Sequence, residues 1–417
     1  MKEKNKEYPF YAAFGVLLAY FSYRMVLVSL PDHLSDFNGH VYVYLANYLR
    51  KETVLRGLGE APYCLWHLLT IFGYKVLGIP LDHSAAYVNS LFALFSYGVF
   101  CFFLRKISDR TERPMGDPAV AMISFGLCIL QPLTAEWMKV TGTGLAAFGL
   151  NPLHNPSYLA VRPFSVLCFC LVVDIWGKQK DDGYRGIFFK TETGLKKYYI
   201  ALAVVLLLSV FAKPTFAEMF IPAVGLMMLF SWGISAFRKD GSGKKAFADL
   251  LSMFCCAIPS VLFILLQFYF HYLLGGQAAD TGSSVVITPY LYVWRGLTEN
   301  VGMSLILSMA FPMFMFLLDS RNILRSPMGK LAVVSASVSF LEAAFLGESA
   351  KMEHGNFLWP MMSGMLFLYL ATLADLAALE NMEEDTLRKR VSVLTAWSIF
   401  GLQVLCGVLN ILNMIKM

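Results

Sequence analysis

Apolar runs of about 18 residues recur from end to end of this 417-residue chain, and a run of that length can cross roughly 30 Å of hydrocarbon as a helix. They lie near 10–30, 84–104, 118–137, 158–176, 198–212, 215–237, 247–274, 301–318, 331–347, 357–378 and 391–414, which predicts about eleven spans. Lipid satisfies no backbone hydrogen bond, so such a chain can only form helices or a closed barrel. The expected fold is all-α, a polytopic transmembrane bundle, with residues 1–417 forming one integral membrane domain. Charged residues make up 15% of the chain against about a quarter in soluble domains, which excludes an ordinary soluble protein. The net charge of +5 carries less information than its distribution between the two sides of a bilayer, and nothing points to nucleic acid.

The eight cysteines have no CxxC spacing and fall mostly inside apolar runs, where they read as small buried hydrophobes. The run from Tyr11 to Leu30 lacks a small-residue cleavage site, so it is expected to be a retained first helix rather than a signal peptide.

Lysine and arginine set the orientation, because short basic segments stay cytoplasmic. With the N-terminus inside, the inner segments hold Lys2, Lys4 and Lys6; Arg105 to Arg113; Lys178 to Lys197; Arg238 to Lys245; Arg321 to Lys330; and Arg388 to Arg390. The N-terminus and 177–197 are then cytoplasmic, while 31–83, 138–157, 275–300 and 348–356 face outward. Residues 63–80 are apolar but short, and His67 and Lys75 interrupt them. As a full span they would invert every later loop, so they are expected to form an interfacial or re-entrant helix within the first outer loop, 31–83. Lys213-Pro214 reads as a tight outer turn.

In this topology all seven histidines fall on the outer side. The densest polar group is PDHLSDFNGH, with Asp32, His33, Asp36 and His40. Ser35 is a plausible N-cap for a surface helix through VYVYLANYLRK. On a regular α-helix Asp36 and His40, four apart, share a face. A plain capping carboxylate would look the same. Other outer segments supply Glu136, Lys139, His154, Asn155 and Arg162; Lys213 and Glu218; Tyr290 to Glu299; and Glu348, Lys351, Glu353, His354 and Asn356. Acids on one segment and bases on others suit a substrate with an acceptor hydroxyl and a phosphate: the carboxylate takes a proton and the cations offset phosphate charge. Snorkelling to the interface is the competing explanation for Arg162 and Lys213.

No cofactor is expected, with one alternative: Asp32, His33, Asp36 and His40 holding a divalent metal. HExxH is absent, no G-x-S-x-G elbow marks a serine hydrolase, and Thr141 to Gly144 match no phosphate loop.

A first span followed by a long outer loop, with an acidic residue near its start and a surface helix behind it, resembles the polytopic glycosyltransferases of the GT-C superfamily. The resemblance covers topology and the region Asp32 to Leu49. It implies transfer of a sugar from a polyprenyl-phosphate-linked donor to a glycan or lipid acceptor at the outer face of the cell membrane, in cell-surface polysaccharide or glycolipid assembly. By motif position the catalytic carboxylate maps to Asp36, with Asp32 second. Asp32 and Asp36 are four apart, unlike the closer acid pairs common in the superfamily, and a large soluble C-terminal domain is missing. Asp36 would deprotonate the acceptor, giving inversion, while His33, His40, His154, Arg162, Lys213, Lys351 and His354 would bind substrate. The alternatives are a polymerase or ligase for lipid-linked repeats, a lipid-linked-substrate transporter or flippase, and a purely structural partner protein. A transporter would place ionisable residues such as Arg24 or Glu342 near mid-membrane.

Overall fold

Runs rich in leucine, valine, phenylalanine and alanine form long helices here, since a helix satisfies its own backbone. The computed structural model describes residues 8–33, 35–50, 57, 61–133, 148–181, 183–184, 186–188, 193–238, 242–273, 282–350, 352, 355–380 and 386–416. In chain order these form α1 (Tyr8–Ser29), α2 (Asp36–Asn38), a π-helical segment (Gly39–Tyr44), α3 (Leu45–Leu49), α4 (Leu65–Lys75), α5 (Leu81–Ser108), α6 (Asp117–Ile129) and α7 (Pro156–Lys180). There follow α8 (Leu195–Ala212), α9 (Thr215–Ala236), α10 (Ser242–Tyr272), β1 (Val285–Ile287), α11 (Tyr292–Leu297), α12 (Val301–Ser308) and α13 (Ala310–Arg325). The chain closes with α14 (Pro327–Phe345), β2 (Leu346–Glu348), α15 (Trp359–Glu380) and α16 (Leu387–Lys416).

Among the described residues nine helices are long and apolar enough to span, and α12 with α13, bent by 69°, makes up to a tenth. The expected eleven differ by the run at 118–137, which yields only the 13-residue α6, about 20 Å long. Contacts place the two ends of this region. Asp117 Oδ1 accepts hydrogen bonds from Tyr11 Oη and Arg105 Nη1, both 2.9 Å, near the start of α1. Asn155 instead reaches Asp36, beyond the end of α1. Residues 117 and 155 therefore stand at opposite ends of the bundle, and of the described residues between them only 117–129 are α-helical.

A helix that stops inside an apolar bundle leaves carbonyls to be satisfied. Arg162 on α7 performs this for α6. Its Nη1 donates to Cys128 O at 3.3 Å and Leu150 O at 2.5 Å, and its Nη2 donates to Leu127 O. The guanidinium also lies 5.2 Å from the Phe100 ring centroid. Arg162, expected to bind phosphate or to snorkel, thus directs both Nη atoms to backbone carbonyls at the end of α6 and at Leu150. At the end of α12, Gln403 Nε2 donates to Leu307 O at 3.1 Å and Tyr369 Oη to Ser308 O at 2.9 Å. Gln403 O accepts from Gln131 N at 3.1 Å, joining the two breaks. Gly407 permits this approach of α16, because a Cβ there would stand 1.9 Å from Ile129 O.

The most buried helices, α7 and α15, form the centre, where Phe169 stacks on Phe367 at 4.3 Å and Phe216 and Phe220 close on the same ring. The 11-residue α4 is too short to cross and folds back on α5. Ser84 Oγ donates to Thr70 O at 2.8 Å, in a gap that Gly73 keeps open. At the turn between α8 and α9, Lys213 is extended and Pro214 precedes the new helix. β1 and β2 pair antiparallel in the register Val285 to Glu348 and Ile287 to Leu346.

Candidate active site

Asp36 opens α2 because Ser35 caps it: Ser35 Oγ accepts from Asn38 N at 3.1 Å and itself donates to Ser29 O at 2.6 Å. The cap thereby ties the helix to the end of α1. Asp36 is exposed. Its Oδ2 accepts from Asn155 Nδ2 at 2.9 Å. Asn155 is held in turn as the N-cap of α7, with Oδ1 accepting from Tyr158 N at 2.8 Å and Ser157 Oγ at 3.1 Å. Asn-Pro-Ser is a helix start legible in the sequence, with Asn as cap and Pro at the first helical position. Both ends of the Asn155 amide are thus committed, one to α7 and one to Asp36.

His40 is buried, whereas Asp36 is exposed. The backbone turns from α to π at Gly39, which widens the helical turn, and His40 is 5% exposed. Its Nδ1 lies 3.0 Å from Nε2 of the fully buried His67 on α4. Tyr44, Tyr48, Tyr63 and Trp66 surround the two imidazoles. Burial holds His67 down to about 4 and His40 well below its ordinary value, with His67 and Lys213 adding to the effect on His40. Both rings are therefore neutral near pH 7, and one donates to the other. His67 is the partner that sequence reasoning misses, because it reads only as an interruption in an apolar segment.

Lys213, at the turn between α8 and α9, is 7% exposed. Its Nζ donates to Ser157 Oγ at 3.2 Å and stands 4.4 Å from the Trp359 ring centroid and 5.9 Å from that of Tyr63. Burial brings its ammonium down to about 8, against the opposing pull of the carboxylates of Asp36 and Glu218. In an unfolded chain a lysine titrates near 10.4. The cost of burying this charge is therefore present below about pH 8 and is relieved as pH rises toward ~10.4. His154 sits beside Trp359, 6.4 Å between centroids. Burial lowers it, Asp36 raises it and Lys213 lowers it further, so it feels both charges of the site.

Asp32 and His33 are exposed on the turn between α1 and α2, whose backbone is closed by Ser35 N donating to Asp32 O at 3.1 Å. Arg162 lies elsewhere, with its Nη atoms on α6 and Leu150. Lys351 and His354 fall outside the described residues. Glu348 is buried with both oxygens occupied, by Ser283 Oγ at 3.1 Å and Asn356 Nδ2 at 2.6 Å, and serves the β1–β2 corner. No three of the described His, Cys, Asp and Glu side chains come together as a metal site. Of Asp32, His33, Asp36 and His40, the first three are exposed and His40 is buried, with its Nδ1 on His67 Nε2.

The site therefore joins a tethered, exposed carboxylate to a buried ammonium flanked by aromatic rings and hydroxyls. Such a pair can accept a proton at one point and stabilise anionic oxygen at another. No protein-family model matches the chain, and no curated protein matches it in sequence.

Proposed function

We propose that the protein is a multi-pass membrane glycosyltransferase of the GT-C type. In this reading it transfers a sugar from a polyprenyl-phosphate-linked donor to a hydroxyl of a glycan or lipid acceptor. The observation that carries the reading is the arrangement around Asp36: its carboxylate is fixed by Asn155, while Lys213 is buried below on the neighbouring Ser157. Asp36 takes the acceptor proton as the acceptor oxygen bonds to the anomeric carbon, and the bond from that carbon to the phosphate oxygen breaks on the opposite face. The configuration inverts, the electron pair leaves with the phosphate, and the Lys213 ammonium stabilises it. Trp359 and Tyr63, which flank Lys213, are aromatic rings of the kind that stack on a sugar ring.

Lys213 must be protonated in this role, so transfer falls as pH rises through about 8. Lys213→Arg keeps its charge at any such pH and is expected to move the alkaline limb of the pH profile upward. An alkaline limb unchanged by Lys213→Arg would remove Lys213 from the phosphate.

The orientation belongs to the same proposal: N-terminus cytoplasmic, Asp36 outward, and α4 lying at the outer interface with Leu68 and Phe72, both exposed, toward lipid. In a cysteine-depleted background, His33→Cys should react with an impermeant thiol reagent added outside intact cells, and Gly183→Cys should not. The reverse pattern would put the site on the cytoplasmic face.

A second reading, a transporter or flippase for a lipid-linked substrate, is favoured by two features. One span, α12 with α13, is bent by 69°, and Glu342 on α14 lies close enough to Glu218 on α9 for their charges to interact. Intramembrane carboxylates and discontinuous helices mark substrate paths in transporters. Purified protein in liposomes separates the readings. Sugar transfer without lipid translocation supports the enzyme, and translocation without transfer supports the transporter.

A further inference from the structure

At the end of the bundle opposite Asp36, a groove of about 1590 Å³ opens between the end of α7, the end of α9, the start of α10 and the start of α14. Four cations line it, Lys180, Lys245 and Lys330 on three of these helices and Arg238 just past the end of α9, all exposed. Lys330 is near enough to Lys180 for the two charges to repel. Asp249, one turn along α10 from Lys245, is the one carboxylate among the described residues lining the groove. Four cations facing one acid is an arrangement that an anion relieves.

The walls show what else the occupant must have. Leu226 and Phe230 on α9 and Val333 on α14 belong to helices long and apolar enough to span, and Phe230 is 73% exposed. They continue from the cationic rim toward the middle of the bundle. A soluble nucleotide or free phosphate would leave these surfaces bare, whereas a membrane lipid brings an anionic head and apolar chains together. The groove also exceeds the roughly 300–1,000 Å³ of small-molecule pockets, leaving room for more than one chain. A zwitterionic head would set a choline or amine against the same four cations.

We propose that this groove binds an anionic glycerophospholipid, its phosphate held among Lys180, Arg238, Lys245 and Lys330 and its acyl chains along Leu226, Phe230 and Val333. The site lies at the opposite end of the 25-residue α7 from Asp36 and stands whether or not Asp36 transfers a sugar. Charge attraction of this kind is worth about fivefold in affinity for each lysine or arginine near an anionic surface.

Native mass spectrometry of the full chain released from nanodiscs tests it, using phosphatidylglycerol, phosphatidylcholine and a polyprenyl monophosphate as probes. Phosphatidylglycerol should be retained in preference to phosphatidylcholine. Arg238→Gln should lower its retention about fivefold and Lys180→Gln with Lys330→Gln about 25-fold, with melting temperatures unchanged. Lys180→Arg with Lys330→Arg, which keeps both charges, should restore retention. If the double glutamine variant fails to fold, Arg238→Gln, at an exposed helix end, decides alone. Equal retention of phosphatidylcholine, full retention by the variants, or displacement of phosphatidylglycerol by equimolar polyprenyl monophosphate would overturn the proposal.

Discussion

Replacement of Asp36 by asparagine is expected to lower sugar transfer from a polyprenyl-phosphate donor by roughly 10²–10⁴, the usual contribution of a general base. The protein should still insert and melt as the parent does. The substitution is nearly isosteric, and the new amide oxygen can still accept the Asn155 Nδ2 hydrogen bond now made to Asp36 Oδ2 at 2.9 Å. The Ser35 cap does not involve the Asp36 side chain. What the variant loses is the capacity to take up a proton. Asp32→Asn should cost far less, because Asp32 sits on the turn rather than beside Asn155. The measurement is initial-rate transfer in liposomes, with the donor saturating so that kcat is read apart from KM. Near-parental turnover by Asp36→Asn would remove the carboxylate from the chemistry and leave it as a helix-start residue. A matching loss in Asn155→Ser, which can still cap α7 but lacks the Nδ2 donor to Asp36, would show that carboxylate orientation limits the rate.

Features encoded within a few residues of where they act are legible in the sequence. The Ser35 cap, the Lys213-Pro214 turn and the long apolar runs are of this kind, and each is present in the structure. Features that depend on distant partners are not. Regular α-helical periodicity puts His40 on the Asp36 face, and its burial against His67 has no strong sequence mark. His67 lies 27 residues from His40, on a helix that reads only as a short apolar segment with polar interruptions. The run at 118–137 is apolar enough for a span, and only the tertiary structure shows that it leaves helical form at Leu130. Hydropathy measures the side chains and is blind to carbonyls that a neighbouring helix satisfies. For the same reason Arg162 resembles a site cation in the sequence: its partners are backbone atoms, which have no sequence signature at all.

Arg162→Ala should therefore act on folding rather than on donor binding. The residue is 2% exposed, and its two Nη atoms serve Leu127 O, Cys128 O and Leu150 O where α6 stops short. Hydrogen bonds to charged donors contribute about 1.5–3 kcal/mol each and are not additive, so removing all three is expected to cost at least about 3 kcal/mol. That is a large part of the roughly 5–15 kcal/mol that holds a typical domain. The carbonyls cannot turn to water, because they face the interior between α5, α6 and α7. Arg162→Lys presents a single ammonium that reaches fewer carbonyls than the fork, so it should recover only part of the loss. Thermal melting followed by size-exclusion fluorescence in detergent measures the effect, alongside specific activity per folded molecule. The expected pattern is a much reduced folded fraction with unchanged specific activity. A normal melt with a raised KM for the donor would return Arg162 to the phosphate and leave the α6 carbonyls to be satisfied in another way.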